Sequence, residues 1–401
     1  MGALPPVRLP VTTAEGLGRA HAGLILQTVL AEGSIARAEL SDRVGLTRAT
    51  VTRVVTKLID LGLLREGSPR RESAGRPMVP LTLAGENRAV LSLHFGAREF
   101  RVGLVDLRGR VLDEVRDAYS STEPADVVAS VAQRATALLS STGGSLRMVG
   151  AGVSIGGWVS SERGEVVRFD PLGWRDVPLG VLLAQSFDLP VHLDQVVRGL
   201  ALAERMFGAA KGVDHFIELW VGNVVGVALV EGGVVRSGTA GAFGMIAHLP
   251  TRDTEGFPCE CGRAGCLEKN INDLAMVEAA RRQGLLPQAA DIRALVRLSD
   301  HGDVAASNFL TEKGAVAGEA AATIADLTDP SMCVVAGVST TADAFLSAFR
   351  SAFHAHALRS NDIEVRASAF GDLAPTIASA SVLLDDYYRD PLGYERAANA
   401  L

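Results

Sequence analysis

The chain has 401 residues, 48% apolar and 5% aromatic, enough for two or three domains with a large buried core. It holds no run of eighteen uncharged apolar residues and no basic-then-apolar leader, which argues against a membrane-spanning helix or a secreted product and makes a cytoplasmic protein the expectation. The net charge of −7 is uneven: residues 1–88 carry 12 Lys+Arg against 8 Asp+Glu (+4), and the rest carry 27 against 38 (−11), so the front of the chain is directed toward a polyanion.

Residues 1–17 are Pro-rich and aperiodic, and a flexible arm is expected there. Leu24, Ile25, Thr28 and Val29 then mark the inner face of a first helix that stops at Gly33. A short helix at Ala36–Val44 follows, with Ala38, Leu40 and Val44 apolar. Gly45-Leu46-Thr47 makes a turn, and Thr47 is placed to cap a third helix running to Leu61.

In that third helix Val51, Val54, Val55, Leu58 and Ile59 repeat at helical spacing, while Thr47, Arg48, Thr50, Thr52, Arg53, Thr56 and Lys57 fall on the other faces. Hydroxyls and cations, with no acid before Asp60, suit a helix in a major groove; the alternative is a solvated face on a small bundle. Helix, Gly-containing turn, helix is the helix-turn-helix layout. Residues 63–66 and 78–83 read as a hairpin wing around a tip that contains Gly75-Arg76-Pro77. That triplet is thin enough to enter a minor groove, whose negative potential attracts an inserted Arg76, or it is simply an exposed hairpin tip.

From Ala89 the pattern changes to strands at 90–95, 100–106, 110–115 and 149–155, with a helix at 123–140 between them. Leu189–Leu193 leads into a helix at 195–208, and a second series starts with strands at 216–221, 225–230 and 234–236. Ala-rich helices at 313–327 and 342–356 flank a buried strand at 332–337. These are two similar α/β halves, whose ligands sit beyond the carboxyl ends of strands.

Three of the four cysteines lie within eight residues, in Cys259-Glu260-Cys261-Gly262-Arg263-Ala264-Gly265-Cys266. Thiolates this close suit a tetrahedral zinc ion, with His248 as the upstream candidate for the fourth position. A reduced, metal-free loop and a Cys259–Cys266 disulfide are the alternatives; the disulfide would leave Cys261 odd.

His-x10-Cys-x-Cys-Gly-x2-Gly-Cys-x-Glu, from His248 to Glu268, resembles the zinc motif of the ROK family (repressors, open reading frames and kinases), and family-like segments run from about Leu24 to Asp385. The resemblance implies an α/β protein with an N-terminal winged helix-turn-helix and a two-lobed, actin-like sugar-kinase body. Its division would be an arm at 1–17, a DNA-binding domain at 18–88 and a first lobe at 89–195 completed by a C-terminal helix at 386–401. A second lobe at 196–385 would carry the zinc loop 248–268. Gly-Arg-Pro is also common in the wing of ROK repressors, whereas the usual serine at the start of the second helix is here Ala36.

The family contains both sugar kinases and sugar-responsive transcription factors. Where a ROK kinase has Asp-x-Gly-Gly-Thr, this chain reads His94-Phe95-Gly96-Ala97-Arg98, and the second phosphate loop, Gly-Thr-Gly-Ile-Gly-x-Gly, is Gly222-Asn223-Val224-Val225-Gly226-Val227-Ala228. The Glu-Asn-Asp that supplies the family's general base falls on Asp194-Gln195-Val196, and Gly-Glu-Ile-Gly-His is Gly244-Met245-Ile246-Ala247-His248. Valine accepts no proton, and Cβ atoms obstruct the close backbone approach to phosphate. Gly156-Gly157 and Pro171-Leu172-Gly173-Trp174 still match the family's sugar-site turns.

The expectation is therefore a DNA-binding transcriptional regulator, a repressor rather than an enzyme, with structural Zn2+ on His248, Cys259, Cys261 and Cys266. Gly157, Gln195, His248 and Glu268 would contact a small carbohydrate-like effector, if any sugar binds at all. A homodimer or homotetramer would read a palindromic operator in double-stranded DNA, with no membrane partner. The alternatives are an active ATP-dependent sugar kinase with an appended head, and a scaffold using the head for protein contacts.

Overall fold

The computed structural model describes residues 13–68, 79–252 and 257–397. The head begins with α1 (Ala14–Glu32), β1 (Ile35–Ala36), α2 (Arg37–Val44) and α3 (Arg48–Asp60), and its wing is β2 (Leu64–Glu66) and β3 (Pro80–Leu83). Helix α1 starts earlier than expected because Thr13 Oγ1 accepts the Gly16 amide at 2.9 Å, so 14–17 are helix and not arm; residues 1–12 lie outside the described residues. Its inner face is Ala22, Ile25, Leu26 and Val29, whereas Leu24 is exposed.

Ala36 cannot cap α2 with its side chain, but its amide donates to Glu39 Oε2 at 3.2 Å, which is half of a capping box. The wing pairs as expected, Leu64 against Leu83 and Glu66 against Leu81, and gains a third strand because Ile35 pairs with Leu81 across β1.

The first lobe comprises β4 (Arg88–Phe95), β5 (Glu99–Asp106), β6 (Val111–Ala118), α4 (Pro124–Ser141) and β7 (Arg147–Ile155). A small antiparallel sheet follows, β8 (Trp158–Ser160), β9 (Glu165–Phe169) and β10 (Trp174–Val177), then α5 (Leu179–Ser186), β11 (Val191–Gln195) and α6 (Val196–Phe207). The second lobe has β12 (Phe216–Val221), β13 (Val225–Glu231), β14 (Val234–Val235), α7 (Leu267–Ile271), α8 (Asp273–Arg282) and α9 (Ile292–Asp300). It continues with α10 (Val304–Thr328), β15 (Met332–Ala336), α11 (Asp343–His356) and β16 (Glu364–Ala367), and the chain returns through α12 (Ala374–Arg389) and α13 (Pro391–Ala397).

The two main sheets repeat one topology. Their orders, β6-β5-β4-β7-β11 and β14-β13-β12-β15-β16, each place the first strand centrally, an antiparallel pair on one side and parallel strands on the other. Among the described residues, no helix is long and apolar enough to cross a membrane.

The C-terminal part that packs on the first lobe begins earlier than 386: α12, Ala374–Arg389, lies on β4, β7 and β11 and on α6, and α13 adds Tyr394 against His192 and Glu395 against Arg88 and Arg147. Residues 374–385 thus lie against the first-lobe sheet, although the sequence reading grouped them with the second. Bare backbone makes room for this helix: a Cβ on Gly152 would sit 2.1 Å from the Ser379 carbonyl oxygen.

The head is not tethered by a linker. Leu26, Val55, Leu58 and Leu81 share one apolar core with Val90, Val105, Leu383, Tyr387 and Tyr388 of the body.

Candidate DNA-reading face, metal-ligand cluster and ligand cleft

Helix α3 forms because Thr47 Oγ1 accepts the Thr50 amide at 3.2 Å and a stripe of Val51, Val54, Val55 and Leu58 is buried. That burial turns Arg48, Thr52, Arg53, Thr56 and Lys57 outward, with Thr50 half-buried. Elsewhere on the head, Arg37 pairs with Glu66 and Arg43 with Glu32, each at 2.7 Å. Among the described residues, Arg48, Arg53 and Lys57 have no ion-pair partner. Arg76 falls within 69–78, outside the described residues.

The cysteine cluster is built by two converging segments. Thr251 donates its amide to Gly265 at 2.7 Å, Leu267 to Leu249 at 2.8 Å and Glu268 to Ala247 at 3.0 Å, which lays His248 beside Cys266. Gly262, at φ +84°, makes the turn that brings Cys259 and Cys261 together. The donor atoms of His248, Cys259, Cys261 and Cys266 all lie within 4.8 Å of one another, with Cys259 Sγ 3.4 Å from His248 Nδ1 and Cys261 Sγ 3.5 Å from Cys266 Sγ.

Zinc–sulfur bonds of about 2.3 Å and a zinc–nitrogen bond of about 2.0 Å give tetrahedral edges of roughly 3.5–3.8 Å, so these two contacts already match such an edge and the set as a whole, within 4.8 Å, suits an ion after small side-chain shifts. The four cysteines are free thiols. Arg263, whose Nε donates to Cys261 Sγ at 3.5 Å, pulls that thiol down to about 6, while burial pushes Cys266 up to about 12.

All four candidate effector residues, Gly157, Gln195, His248 and Glu268, line one cleft of about 630 Å³ together with Trp158, Val196, Asn223 and Met245. Gly157 has φ +78°, and a Cβ there would collide with the Arg168 carbonyl; its own oxygen accepts Gln195 Nε2 at 2.8 Å. Glu268 accepts the Val225 amide at 2.9 Å, and burial raises its carboxyl above the usual range.

Asp194, one residue out of register with the family's asparagine, points elsewhere. Its Oδ1 accepts from Ser161 Oγ at 2.7 Å and from Arg198 Nε at 2.6 Å. Val196 and Met245 both line this cleft.

A neighbouring pocket of about 210 Å³ lies at the His94 end of the cleft. His94 is buried with Nδ1 2.9 Å from Ser154 Oγ, and desolvation pushes it down to about 3, so it is a neutral imidazole. Val224 packs over Gly156, whose added Cβ would lie 2.8 Å from it, and so fills space that a glycine leaves open.

Sequence reasoning missed the ion-pair knot at this corner. Asp372 binds Arg116 at 2.8 Å and Arg293 at 2.5 Å, while its carbonyl accepts Arg101 Nη1 at 2.6 Å. These guanidiniums hold the Asp372 carboxyl down at about 2, and they come from β5, β6 and α9, so the knot ties one lobe to the other. Nothing local in the sequence signals it, because the partners are 79 to 271 residues away from Asp372.

The ROK family model matches residues 90–386, and a winged helix-turn-helix DNA-binding model matches residues 22–65. The chain belongs to the ROK family. This ROK protein is 31% identical to a transcriptional regulator of Mycobacterium tuberculosis, over 96% of its own length and 90% of the relative's. It is 24% identical to the xylose repressor of Bacillus subtilis, over 91% and 94% of the two chains. Among solved structures it is similar to a ROK family transcriptional regulator described as a homolog of the E. coli MLC protein, at TM-score 0.79 and 25% identity, covering 94% of this chain and 98% of that one. A ROK glucokinase from Streptomyces griseus, solved with glucose and AMPPNP, shares the fold of the body at TM-score 0.65 and 23% identity, covering 73% of this chain and 98% of its own.

Proposed function

We propose that this ROK protein is a DNA-binding transcriptional repressor whose kinase-type body senses a small carbohydrate-like effector and transfers no phosphate. The observation that carries the reading is the outer face of α3, where Arg48, Arg53 and Lys57 have no ion-pair partner among the described residues and lie beside Thr50 and Thr52. Cations held free on an exposed helix suit a phosphate backbone, and the hydroxyls beside them suit base edges or phosphates. Thr47 and Arg76 complete the set of proposed DNA contacts. Relatives named as a transcriptional regulator and a xylose repressor support the same reading.

His248, Cys259, Cys261 and Cys266 would hold one structural Zn2+, which with four protein ligands keeps no open position for activating water. Its role would be to fix the loop bearing Glu268 on the cleft wall, where Gly157, Gln195, His248 and Glu268 contact the effector. The cleft has lost an aspartate and a glutamate to Val196 and Met245, which leaves fewer polar hooks and favours a weakly bound or less polar ligand. The protein would act in the cytoplasm as a dimer or tetramer on a palindrome.

Selection of duplexes from a random pool by the purified full chain tests this. The expected product is a palindrome with half-sites one helical turn, about 34–36 Å, or a multiple of it, apart. Recovery of no enriched duplex, together with ATP consumption in the presence of hexoses or N-acetylhexosamines, would show an active kinase instead.

A further inference from the structure

Between the head and the body lies a buried group of charges that the DNA face and the cleft do not use. Arg88, the first residue of β4, is 4% exposed, and Glu395 of α13 is 2% exposed. Arg88 Nε donates to Glu395 Oε1 at 2.9 Å and Nη2 to Oε2 at 3.2 Å, a bidentate pair. The same guanidinium reaches the other way: Nη2 donates to the Leu61 carbonyl, and Nη1 to the Gly62 carbonyl at 3.3 Å. Glu395 also accepts Tyr387 Oη at 2.8 Å from α12 and pairs with Arg147 at 3.0 Å from β7.

Leu61 is the C-cap of α3, so Arg88 satisfies carbonyls at the very end of the proposed recognition helix. A helix C-terminus leaves carbonyls without intrahelical partners and carries partial negative charge, and a buried cation answers both. A buried ion pair contributes little net stability compared with apolar packing; what it supplies is one geometry, because each partner must be matched.

We propose that Arg88 is a positioning residue for DNA binding: clamped by Glu395, it fixes the axis of α3 relative to the body. This rests on the reading of α3 as the DNA-contacting helix. The angle of the reading helix is then set by the penultimate stretch of the chain and not by the head alone. Helix α12 carries Tyr387 at this clamp and Pro375 at the edge of the His94 pocket, so the clamp and that pocket lie at two ends of one helix.

The test compares Glu395→Gln and Arg88→Lys with wild type in the full chain. Tyr394→Phe is the control, because it removes only the hydroxyl that bonds His192 from the same helix and leaves the ring and the clamp in place. Amide exchange across residues 57–63 should accelerate at least about tenfold in both clamp variants while α10 and α11 exchange as in wild type. Affinity for the duplex that wild type selects should fall about tenfold or more, with less loss in Arg88→Lys, which keeps the charge but not the fork. The control should stay within about twofold of wild type in both readouts.

Wild-type exchange and affinity in both clamp variants would overturn the proposal. So would acceleration spread evenly over the whole chain, which marks a stability role only. If wild type selects no duplex, the DNA reading fails and the positioning role falls with it. If wild type binds its duplex and the clamp variants bind equally well, only the clamp is wrong.

Discussion

Replacing Arg48, Arg53 and Lys57 together by alanine should lower affinity for the selected duplex by two to three orders of magnitude and leave the fold intact. Each phosphate contact contributes about 0.9 to the slope of log affinity against log salt, so three lost contacts amount to about 150-fold at about 0.15 M salt. An arginine that also reads a guanine edge adds about tenfold or more. The salt slope should become shallower by up to about 3, which distinguishes lost phosphate contacts from a general loss of protein.

The three side chains are exposed and have no ion-pair partner among the described residues, and surface changes of this kind usually alter stability by no more than about 0.5 kcal/mol each. Thr47 is a poorer probe. Its hydroxyl caps α3, and an alanine there costs about 1 kcal/mol of head stability, which confounds any loss of binding. Anisotropy titrations at several salt concentrations make the measurement. An unchanged slope in the triple variant would show that another face of the head meets DNA.

Cys261→Ser should abolish stoichiometric metal binding. Cys261 is exposed, so the substitution removes a ligand without opening a cavity. Structural zinc sites in small fingers contribute about 10–16 kcal/mol of apparent binding energy at neutral pH. Here the loop is also pinned by backbone bonds of its own, from Thr251 to Gly265 and from Glu268 to Ala247. The body should therefore stay folded while the loop loosens and Glu268 loses its fixed place at the Val225 amide. Elemental analysis should read about one zinc per wild-type chain and almost none in the variant. Equal metal content in the two would remove Cys261 from the ligand set.

What the sequence disclosed depended on how local each signal was. The α3 stripe and its threonine cap are contained within about fifteen residues, and helical periodicity alone turned the right side outward. The cysteine cluster was legible for the same reason, since eight residues hold three cysteines. Leu24 was misread as inward because the orientation of α1 is set by a distant partner: Gly23 packs against the Arg389 carbonyl and Gln27 bonds the Tyr388 carbonyl.

The helix that completes the first lobe was placed too late because α12 shows no boundary signal at residue 386. It continues from Ala374 to Arg389, held by glycines on strands more than 200 residues earlier. Gly157 and Leu172-Gly173-Trp174 were recognised as isolated turns, yet they belong to the strands and connections of the β8–β10 sheet, which is too short to show alternation. The Asp372 knot and the Arg88–Glu395 clamp left no trace in the sequence, since ion pairs between residues 79 to 307 positions apart have no sequence pattern.

The most direct measurement is the affinity of the full chain for its selected duplex relative to a scrambled duplex of the same composition, at about 0.15 M salt. A DNA-reading regulator should prefer the selected duplex by about 1,000-fold or more. Equal affinity for the two, or none for either, would contradict the account.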